Sequence, residues 1–360
     1  MRIALVCPRF YPYTGGIETH VYEISKRLSE KFEIDVITTD PSGKLPKYDE
    51  IFNVKIKRFK SLAPSDSYYF SLDLLKYLNR NSTNYDIIHI HSYHAFPALF
   101  GALSKRKNKL VFTPHYHGKG HSFFRNLLHY PYKFIGKNIF KKADAIICVS
   151  KFERKLILNN FNVENSKIFL IPNGVNLHEF KLNKIHVNST KYKDRKIILY
   201  VGRIEKYKGI DYVVKALRYL NREFILEIVG KGKYKSKIVK LARKLNLTDR
   251  IKFYEDLTKE ELIKKYFNAD VLVLLSKFEA YGLVIAEALA AGTPCIVPRS
   301  SALSEWIDDV QVFGVENPND YKELAEKICE ATSKKSVKRV LPSWDFVAKE
   351  LKKVYDLIVG

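Results

Sequence analysis

Residues 276–297, SKFEAYGLVIAEALAAGTPCIV, decide the fold and hold the strongest functional signal. An apolar run typical of a buried strand is followed by Glu279, by Gly282 where a helix begins, and by Glu287 within that helix. The N–H groups at a helix N-terminus attract an anion such as a phosphate, and a carboxylate accepts hydrogen bonds from two neighbouring sugar hydroxyls. Glu287 alone is also explained as a partly buried helix residue. The whole pattern predicts a binding site.

Short apolar runs recur along the chain, each followed by a stretch with helical spacing. Runs that are apolar throughout are typical of strands covered on both faces, and their alternation with helices predicts an α/β fold with parallel sheets. The runs are RIALVCP, EIDVITT, VKIKRF, DIIHIHS, KLVFTPH, AIICVS and IFLIPNG in the first half, and KIILYVGR, FILEIVG, IKFYED, VLVLLS and PCIVP in the second.

The pattern weakens at residues 181–195, which are polar and which we interpret as a linker. A chain of 360 residues with this break predicts two Rossmann-like domains, 1–180 and 196–343. From Trp344 onward the apolar residues have helical spacing, which predicts a C-terminal helix over 344–360. This helix could pack on either domain.

The net charge of +23 is shared by both halves, unlike the charge of a nucleic-acid-binding tail. Cys7, Cys148 and Cys295 lie in apolar runs and form no CxxC pair, which favours reduced core thiols in a cytosolic protein. There is no run of 18 apolar residues, and the start of the chain is more typical of a strand than of a secretory signal. We therefore expect a cytoplasmic location.

Two further loops follow predicted strands. Gly15 and Gly16 precede a helix, so the backbone could approach an anion there, and the spacing is not the GxGxxG of a nicotinamide site. Arg203 and Lys208 follow the run KIILYV and also precede a helix, an arrangement that suits a diphosphate. Taken alone, the loop at Gly15 and Gly16 is equally well explained as an ordinary turn and helix cap, and the loop at Arg203 and Lys208 is better explained as a solvated basic turn.

Together, GGIETHV, IPNGVNLHEF, GRIEKYKGID and FEAYGLVIAEALAAGTPCIV resemble the retaining glycosyltransferases of family 4, group 1, which have the GT-B fold. The resemblance spans nearly the whole chain, in order. It implies two Rossmann-like domains that face each other across a cleft, the first binding the acceptor and the second the nucleotide sugar. It also implies that the C-terminal helix crosses back to the N-terminal domain.

The resemblance further implies individual roles. Arg203 and Lys208 would neutralise the donor diphosphate, Glu287 would hold the ribose and Glu279 the donor sugar, while His115 would lie beside the transferred sugar. Its full donor-binding set is Gly16, Arg203, Lys208, Glu279, Tyr281, Gly282, Leu283 and Glu287; its catalytic set is His115, Glu279, Arg203 and Lys208; its acceptor-binding set is Glu18, His20 and His117. No metal and no other cofactor is expected.

The implied activity is transfer of a hexose-type sugar from a UDP- or GDP-sugar to an acceptor hydroxyl, with retention of the anomeric configuration. The acceptor would be a glycan or a lipid-linked molecule. Retention requires either double displacement or same-face attack, and no carboxylate stands out as a nucleophile. The resemblance implies same-face attack, in which the leaving phosphate takes the proton of the acceptor.

The histidines raise the alternative of a metal site. His89 and His91 share one face of a predicted strand, and His115 and His117 lie close together. However, no carboxylate or thiol ligand lies near them in the sequence. Histidines that line a polar cleft are the favoured interpretation.

No acidic residue occurs between Asp86 and Asp144, where ten of the Lys and Arg and seven of the ten His are found. Cationic and aromatic residues that alternate here are typical of a helix on an anionic membrane, while a core-packed helix pair with a solvated basic face explains them as well. We predict contact with an acidic acceptor or with the inner face of the membrane through Phe123, Phe124, Arg125, Lys133, Lys137, Lys141 and Lys142.

Three other functions are alternatives. A sugar-nucleotide epimerase of similar fold would form product without an acceptor. A phosphorylase would need a much longer chain with a pyridoxal phosphate lysine. A nucleic-acid-binding protein would use the basic segment, but the sequence has no zinc-finger or RRM signature and the paired glutamates suit it badly.

Overall fold

The computed structural model describes residues 1–64, 68–118, 136–186, 194–334 and 339–360. They form two compact units, one made of Met1–Asn173 with Trp344–Gly360 and the other of Gly174–Ser343. The chain therefore leaves the first unit at Asn173, a few residues before the boundary expected at 180.

The first unit alternates strands and helices from its first residues. Residues 136–142 are also helical. The other elements, in chain order, are β1 (Arg2–Val6), α1 (Gly16–Leu28), β2 (Glu33–Asp40), β3 (Tyr48–Ile51), β4 (Val54–Lys60), α2 (Leu72–Asn81), β5 (Ile87–His91), α3 (Phe96–Leu103), β6 (Lys109–Thr113), β7 (Ala145–Cys148), α4 (Lys151–Asn160) and β8 (Ile168–Leu170).

These strands form one sheet in the order β3-β4-β2-β1-β5-β6-β7-β8. Every neighbouring pair is parallel except β3 with β4. All seven apolar runs predicted in this half form strands. Strand β3 was missed because its residues, YDEI, are exposed or half-buried and make no apolar run. Strands β1 and β5 are neighbours, so the loops after them begin side by side at one edge of the sheet.

The second unit repeats the same alternation. Its elements are α5 (Leu177–His186), β9 (Lys196–Val201), α6 (Ile210–Ala216), β10 (Phe224–Val229), α7 (Lys235–Lys244), β11 (Ile251–Tyr254), α8 (Lys259–Asn268), β12 (Val271–Val273), α9 (Leu283–Ala291), β13 (Cys295–Pro298), β14 (Val312–Val315) and α10 (Tyr321–Ser333). The strands form a parallel sheet in the order β11-β10-β9-β12-β13-β14. The prediction of two α/β domains with parallel sheets is confirmed.

Part of the predicted linker is helical, because α5 extends to His186. Phe180 of this helix is buried and its ring lies 6.2 Å from that of Tyr266 and 6.1 Å from that of Phe267. One aromatic residue thus fixes the helix on α8, and the polar residues after it gave no apolar pattern to predict it from. Strand β14 was also missed, since its four residues, VFGV, are short and include a glycine.

The C-terminal helix α11 (Trp344–Val359) belongs to the first unit. Its buried face includes Trp344, Leu351 and Tyr355. The Tyr355 hydroxyl lies 2.7 Å from Nδ1 of His89 on β5, and Nε of Arg27 on α1 donates to Asp345 at 2.6 Å. A buried hydrogen bond and an exposed ion pair therefore join this helix to the sheet and to α1.

All four cysteines are free; Cys7, Cys148 and Cys295 are buried and Cys329 is exposed. Among the described residues, no helix combines the length and the apolar character that crossing a bilayer requires.

Replacing Tyr355 by Phe is expected to lower the free energy of unfolding by about 1–3 kcal/mol, because Nδ1 of His89 then stays buried without a partner. Tyr219→Phe is the matched control, since that ring is 56% exposed and its change should stay within about 0.5 kcal/mol. Denaturant titration of both variants measures the difference. Equal stability of the two variants would show that the buried hydrogen bond contributes nothing.

Candidate active site

The N-terminus of α9 is the centre of the candidate site in the second unit. Strand β12 ends at Val273, Glu279 lies in the following loop, and α9 begins at Leu283. Gly282 caps the helix with a φ of 94°, and a side chain there would come within 2.5 Å of Leu303. Only glycine suits this conformation, so the first N–H groups of α9 stay available to a ligand.

Lys208 and Glu279 form an ion pair in this unit. Both side chains are mostly buried, with 14% and 18% of their surface exposed. The two loops that hold them are also joined through the backbone, since the N–H of Lys277 donates to the carbonyl of Tyr207 at 2.9 Å. The structure thus brings together two residues predicted to bind different parts of a donor.

Arg203, the second predicted cation, follows β9 and is exposed. Its Nη2 donates to the hydroxyl of Tyr207 at 2.9 Å, and its carbonyl accepts from the hydroxyl of Tyr200 at 2.8 Å. Tyr200 is fully buried and therefore holds the backbone of this loop against the core. Because Tyr207 precedes Lys208, the guanidinium and the ammonium group belong to one connected turn.

Glu287 lies on α9, and one of its carboxylate oxygens accepts a hydrogen bond of 2.7 Å from Tyr266. Tyr266, on α8, is fully buried, and burial together with the carboxylate raises its pKa well above the ordinary value. The tyrosine stays protonated and donates at neutral pH. Sequence reasoning missed Tyr266, since nothing in its own neighbourhood marks it as the partner of a residue on the next helix.

Tyr281 and Leu283 flank the cap of α9. Tyr281 is 8% exposed, its carbonyl accepts from Nε1 of Trp306 at 2.8 Å, and the two rings lie 5.2 Å apart. These contacts hold the loop in place. Whether the two residues also contact a donor stays a prediction.

In the first unit, the loop after β1 leads into α1 at Gly16. A side chain at Gly16 would meet no heavy atom of the described residues within 4 Å, so the backbone there is open to a ligand. Glu18 is buried and pairs with Arg9, with Oε1 at 2.7 Å from Nη2 and 2.8 Å from Nε. Its predicted contact with an acceptor would compete with this ion pair.

Three histidines from separate elements meet at this edge of the first sheet. His20 lies on α1, His91 ends β5 and His115 follows β6, and the ring of His20 is 5.4 Å from that of His91 and 5.1 Å from that of His115. Burial lowers the pKa of His20 to about 4 and those of His91 and His115 well below the ordinary value. The three imidazoles are therefore neutral at neutral pH. His117 lies apart from them and stacks on His94, with ring centroids 4.8 Å apart.

Glu153 positions the backbone that carries His115. His115 has a φ of 50°, and the N–H of the next residue, Tyr116, donates to Oε1 of Glu153 at 2.5 Å. The other oxygen accepts from Val149 at 2.7 Å. Burial raises the pKa of Glu153 to about 8, while its two backbone hydrogen bonds act in the opposite direction.

The sequence motif S-x-x-E at Ser150–Glu153 is the one signal in the sequence that marks this glutamate, because it is typical of a helix capping box. Ser150 is the N-cap of α4, and its hydroxyl accepts from the N–H of Glu153 at 3.0 Å. In a capping box the glutamate would return to the N–H of the cap residue. Here the carboxylate of Glu153 accepts from the N–H groups of Val149 and Tyr116 instead. The motif therefore indicates the residue but predicts the wrong hydrogen bonds for it.

Four residues of the predicted basic and aromatic patch, Phe123, Phe124, Arg125 and Lys133, lie outside the described residues. Lys137, Lys141 and Lys142 are exposed on the helical residues 136–142. Ile139 and Phe140 of the same helix are buried in the core. For this part of the segment, the structure therefore favours the alternative of a core-packed helix with a solvated basic face.

Two family models match adjoining parts of the chain. The model described as Glycosyltransferase Family 4 matches residues 14–179, and the one described as Glycosyl transferases group 1 matches residues 182–341. An uncharacterized glycosyltransferase of Methanocaldococcus jannaschii is 27% identical, with 99% of this chain and 98% of that protein covered.

An alpha-monoglucosyldiacylglycerol synthase of Streptococcus pneumoniae is 25% identical over 92% of this chain and 78% of that protein. The solved structure of HepE from Anabaena, in complex with UDP and glucose, has a TM-score of 0.77 and 16% identity and covers 99% of both chains.

Two parallel-sheet α/β domains with these matches define a glycosyltransferase of the GT-B fold. The chain belongs to the group 1 glycosyltransferases. The resemblance to group 1 glycosyltransferases of the GT-B fold is thereby confirmed, whereas retention of the anomeric configuration stays a prediction. The enzyme class is favoured over the epimerase and nucleic-acid-binding alternatives.

The stability of the chain is expected to fall between pH 4.5 and pH 8 through Glu153. The buried carboxyl keeps its proton up to about pH 8, whereas in the unfolded chain it loses the proton near its ordinary pKa of 4.5. The unfolded state therefore binds fewer protons across this window, and the free energy of unfolding decreases as the pH rises.

Glu153→Gln removes this titrating group, so the free energy of unfolding of the variant lacks this pH dependence. The advantage in stability that the wild type has over the variant should therefore shrink as the pH rises. Denaturant titrations at pH 5, 6, 7 and 8 measure it, and Glu164→Gln, at an exposed position, is the control. Parallel pH profiles of the wild type and Glu153→Gln would contradict the assignment.

Proposed function

We propose that the chain transfers a hexose from a UDP- or GDP-sugar to an acceptor hydroxyl with retention of the anomeric configuration. The observation that carries the proposal is the Lys208–Glu279 pair close in sequence to the N-terminus of α9. A cation, a carboxylate and helix N–H groups on neighbouring loops match the diphosphate and the hydroxyls of a nucleotide sugar. The UDP and glucose bound to the similarly folded HepE support this choice of donor.

Binding of the donor would separate the ion pair. Lys208 and Arg203 would contact the diphosphate, and the carboxylate of Glu279 would then accept hydrogen bonds from hydroxyls of the sugar. Glu287 would hold the ribose hydroxyls through its carboxylate, whose Oε2 also accepts the hydrogen bond from Tyr266. Tyr266 therefore acts as a positioning residue for Glu287.

The transfer breaks the bond between the anomeric carbon and the diphosphate oxygen, and the electron pair stays on the leaving diphosphate. The acceptor oxygen attacks the same face and forms the new bond, and its proton passes to the leaving phosphate oxygen. Negative charge on the diphosphate grows during this step, so cations fixed beside it stabilise the transition state more than the ground state. No metal is part of this proposal.

His115 would lie beside the transferred sugar and hydrogen-bond one of its hydroxyl groups while the bond to the diphosphate breaks. Its imidazole is neutral, and the hydrogen bond from Tyr116 to Glu153 fixes its backbone. A neutral imidazole can hydrogen-bond a sugar hydroxyl without repelling the positive charge that develops on the ring.

The acceptor is proposed to be a glycan or a lipid-linked molecule. The similarity to a protein named as a synthase of monoglucosyldiacylglycerol supports a lipid acceptor. Contact of the basic and aromatic segment with an anionic membrane belongs to the same proposal, and its exposed Lys137, Lys141 and Lys142 are the described part of that surface.

A thermal-shift screen with UDP-, GDP- and ADP-sugars tests donor binding, because a ligand that binds the folded state raises its melting temperature. The preferred donor is then incubated with glycan and lipid acceptors in EDTA, and NMR gives the anomeric configuration of the product. We expect a retained product that forms only with an acceptor. Product without an acceptor would indicate an epimerase, and inversion would exclude same-face attack.

Lys208→Ala is expected to lower kcat by more than it raises KM for the donor, because the charge on the diphosphate increases in the transition state. Lys206→Ala is the matched control, since Lys206 is exposed on the same short turn. Steady-state kinetics of both variants give kcat and the KM for the donor. A raised KM with the kcat of the wild type would limit Lys208 to ground-state binding.

Glu287→Ala should weaken donor affinity about 5–150-fold, which corresponds to about 1–3 kcal/mol for a lost charged hydrogen bond. The substitution also removes the acceptor of the buried Tyr266 hydroxyl, which could destabilise the fold. The double variant Glu287→Ala with Tyr266→Phe removes that hydroxyl as well, so its donor affinity reports the loss of the ribose contact alone. Tyr266→Phe alone should weaken affinity less. Isothermal titration with the donor measures all three, and wild-type affinity in a folded Glu287→Ala variant would refute the ribose contact.

A further inference from the structure

The histidine cluster of the first unit, defined as His20, His91 and His115, has the composition of a metal-ligand set. One ring nitrogen of each residue lies within 4.8 Å of those of the other two. His20 and His91 are buried, whereas His115 keeps part of its surface exposed. The cluster is thus closed on one side and reachable from the other.

Each histidine of the cluster has at least one buried ring nitrogen without a hydrogen-bond partner among the described residues. This holds for Nε2 of His20, for both ring nitrogens of His91 and for Nε2 of His115. The neighbouring His89 is the contrast, because its two nitrogens lie 2.7 Å from Tyr355 and 2.7 Å from Thr113. Buried polar nitrogens are normally paired, so the cluster lacks a partner that His89 already has.

His20 is also held in the tautomer that a metal ligand needs. Its Nδ1 lies 2.7 Å from the side-chain oxygen of Asn173. An amide oxygen only accepts, so Nδ1 carries the proton and the lone pair of Nε2 is available to the cluster. A histidine that donates its second N–H to an oxygen is the usual outer-shell arrangement around a bound metal.

We propose that His20, His91 and His115 bind one divalent transition-metal ion, with zinc as the best match. Three neutral imidazoles suit zinc, copper or nickel, whereas magnesium and calcium prefer oxygen ligands. Three atoms at most 4.8 Å apart lie at most about 2.8 Å from their common centre, so each nitrogen has to move inward by no more than roughly 0.7 Å to reach a zinc–nitrogen distance of about 2.0–2.1 Å. Water completes the coordination on the exposed side of His115.

The site goes beyond the proposed function and does not depend on it, since the proposed transfer uses no metal. It departs from the prediction of no metal site, which rested on ligands close in sequence and overlooked His20 on α1. A metal held by His115 withdraws that imidazole from the sugar. If His115 also has its proposed role beside the sugar, zinc inhibits transfer and EDTA reverses the inhibition; metal binding itself does not require that role.

Titration of the chelator-treated protein with Co²⁺ tests the site without any sugar. Cys329→Ser serves as the background, because Cys329 is the exposed thiol and could bind the metal itself. We expect one equivalent of Co²⁺ to give the visible absorption of a four- or five-coordinate ion, and one equivalent of Zn²⁺ to displace it. Absorption from a sulfur–cobalt bond would place the metal on a cysteine and overturn the proposal.

Variants locate the ion within the cluster. His91→Ala should lower the affinity for Co²⁺ at least tenfold, and Asn173→Leu should lower it about 10–100-fold by releasing the tautomer of His20. His178→Ala is the control, since that histidine is exposed in the second unit. Circular dichroism checks folding, and His115→Ala, at the partly exposed position, replaces His91→Ala if the latter does not fold. Unchanged Co²⁺ affinity in the folded cluster variants, or no binding at millimolar Co²⁺, would refute the site.

Discussion

Strands that are covered on both faces can place polar chemistry only where they end. The central strands of both sheets are buried except for the first residues of β1 and β9, so packing constrains nearly all of their residues. The groups with candidate roles, such as His115, Arg203 and Glu279, follow the carboxyl ends of β6, β9 and β12. Because the strands are parallel, these ends meet at one edge of each sheet. The architecture thus determines where a ligand can bind before any loop residue is considered.

Polar groups inside this frame are tolerated when their hydrogen bonds are complete. His89 lies within β5 and satisfies both nitrogens through Tyr355 and Thr113, which joins the C-terminal helix to the sheet. Glu153 is fully buried and satisfies both oxygens through backbone N–H groups. The histidine cluster differs from both, since each of its members has a buried ring nitrogen without a partner among the described residues. The proposed metal ion would supply the partner that these nitrogens lack.

The sequence correctly predicts the strands, loops and helices that follow from the pattern of neighbouring residues. Every strand marked by a continuous apolar run is present, and the loop and helix that hold Glu279 and Glu287 form as expected. What it could not predict depends on residues far apart in the chain. Tyr266 reaches Glu287 from another helix, Glu153 reaches Tyr116 from another strand end, and His20 meets His91 through the order of the sheet. Such contacts follow from topology, and spacing along the chain does not contain them.

In the proposed donor site, the pair formed by Lys208 and Glu279 would select against ligands that carry only one half of a nucleotide sugar. A free phosphate could neutralise the lysine, but it would leave a mostly buried carboxylate without its counter-charge. A free sugar could occupy the carboxylate, but it would leave the ammonium group unpaired. Only a molecule that presents an anion and a hydroxyl group at the same time replaces both halves of the pair. Under the proposed function, the ion pair would therefore exclude free phosphates and free sugars, and only their conjugate would separate the two side chains.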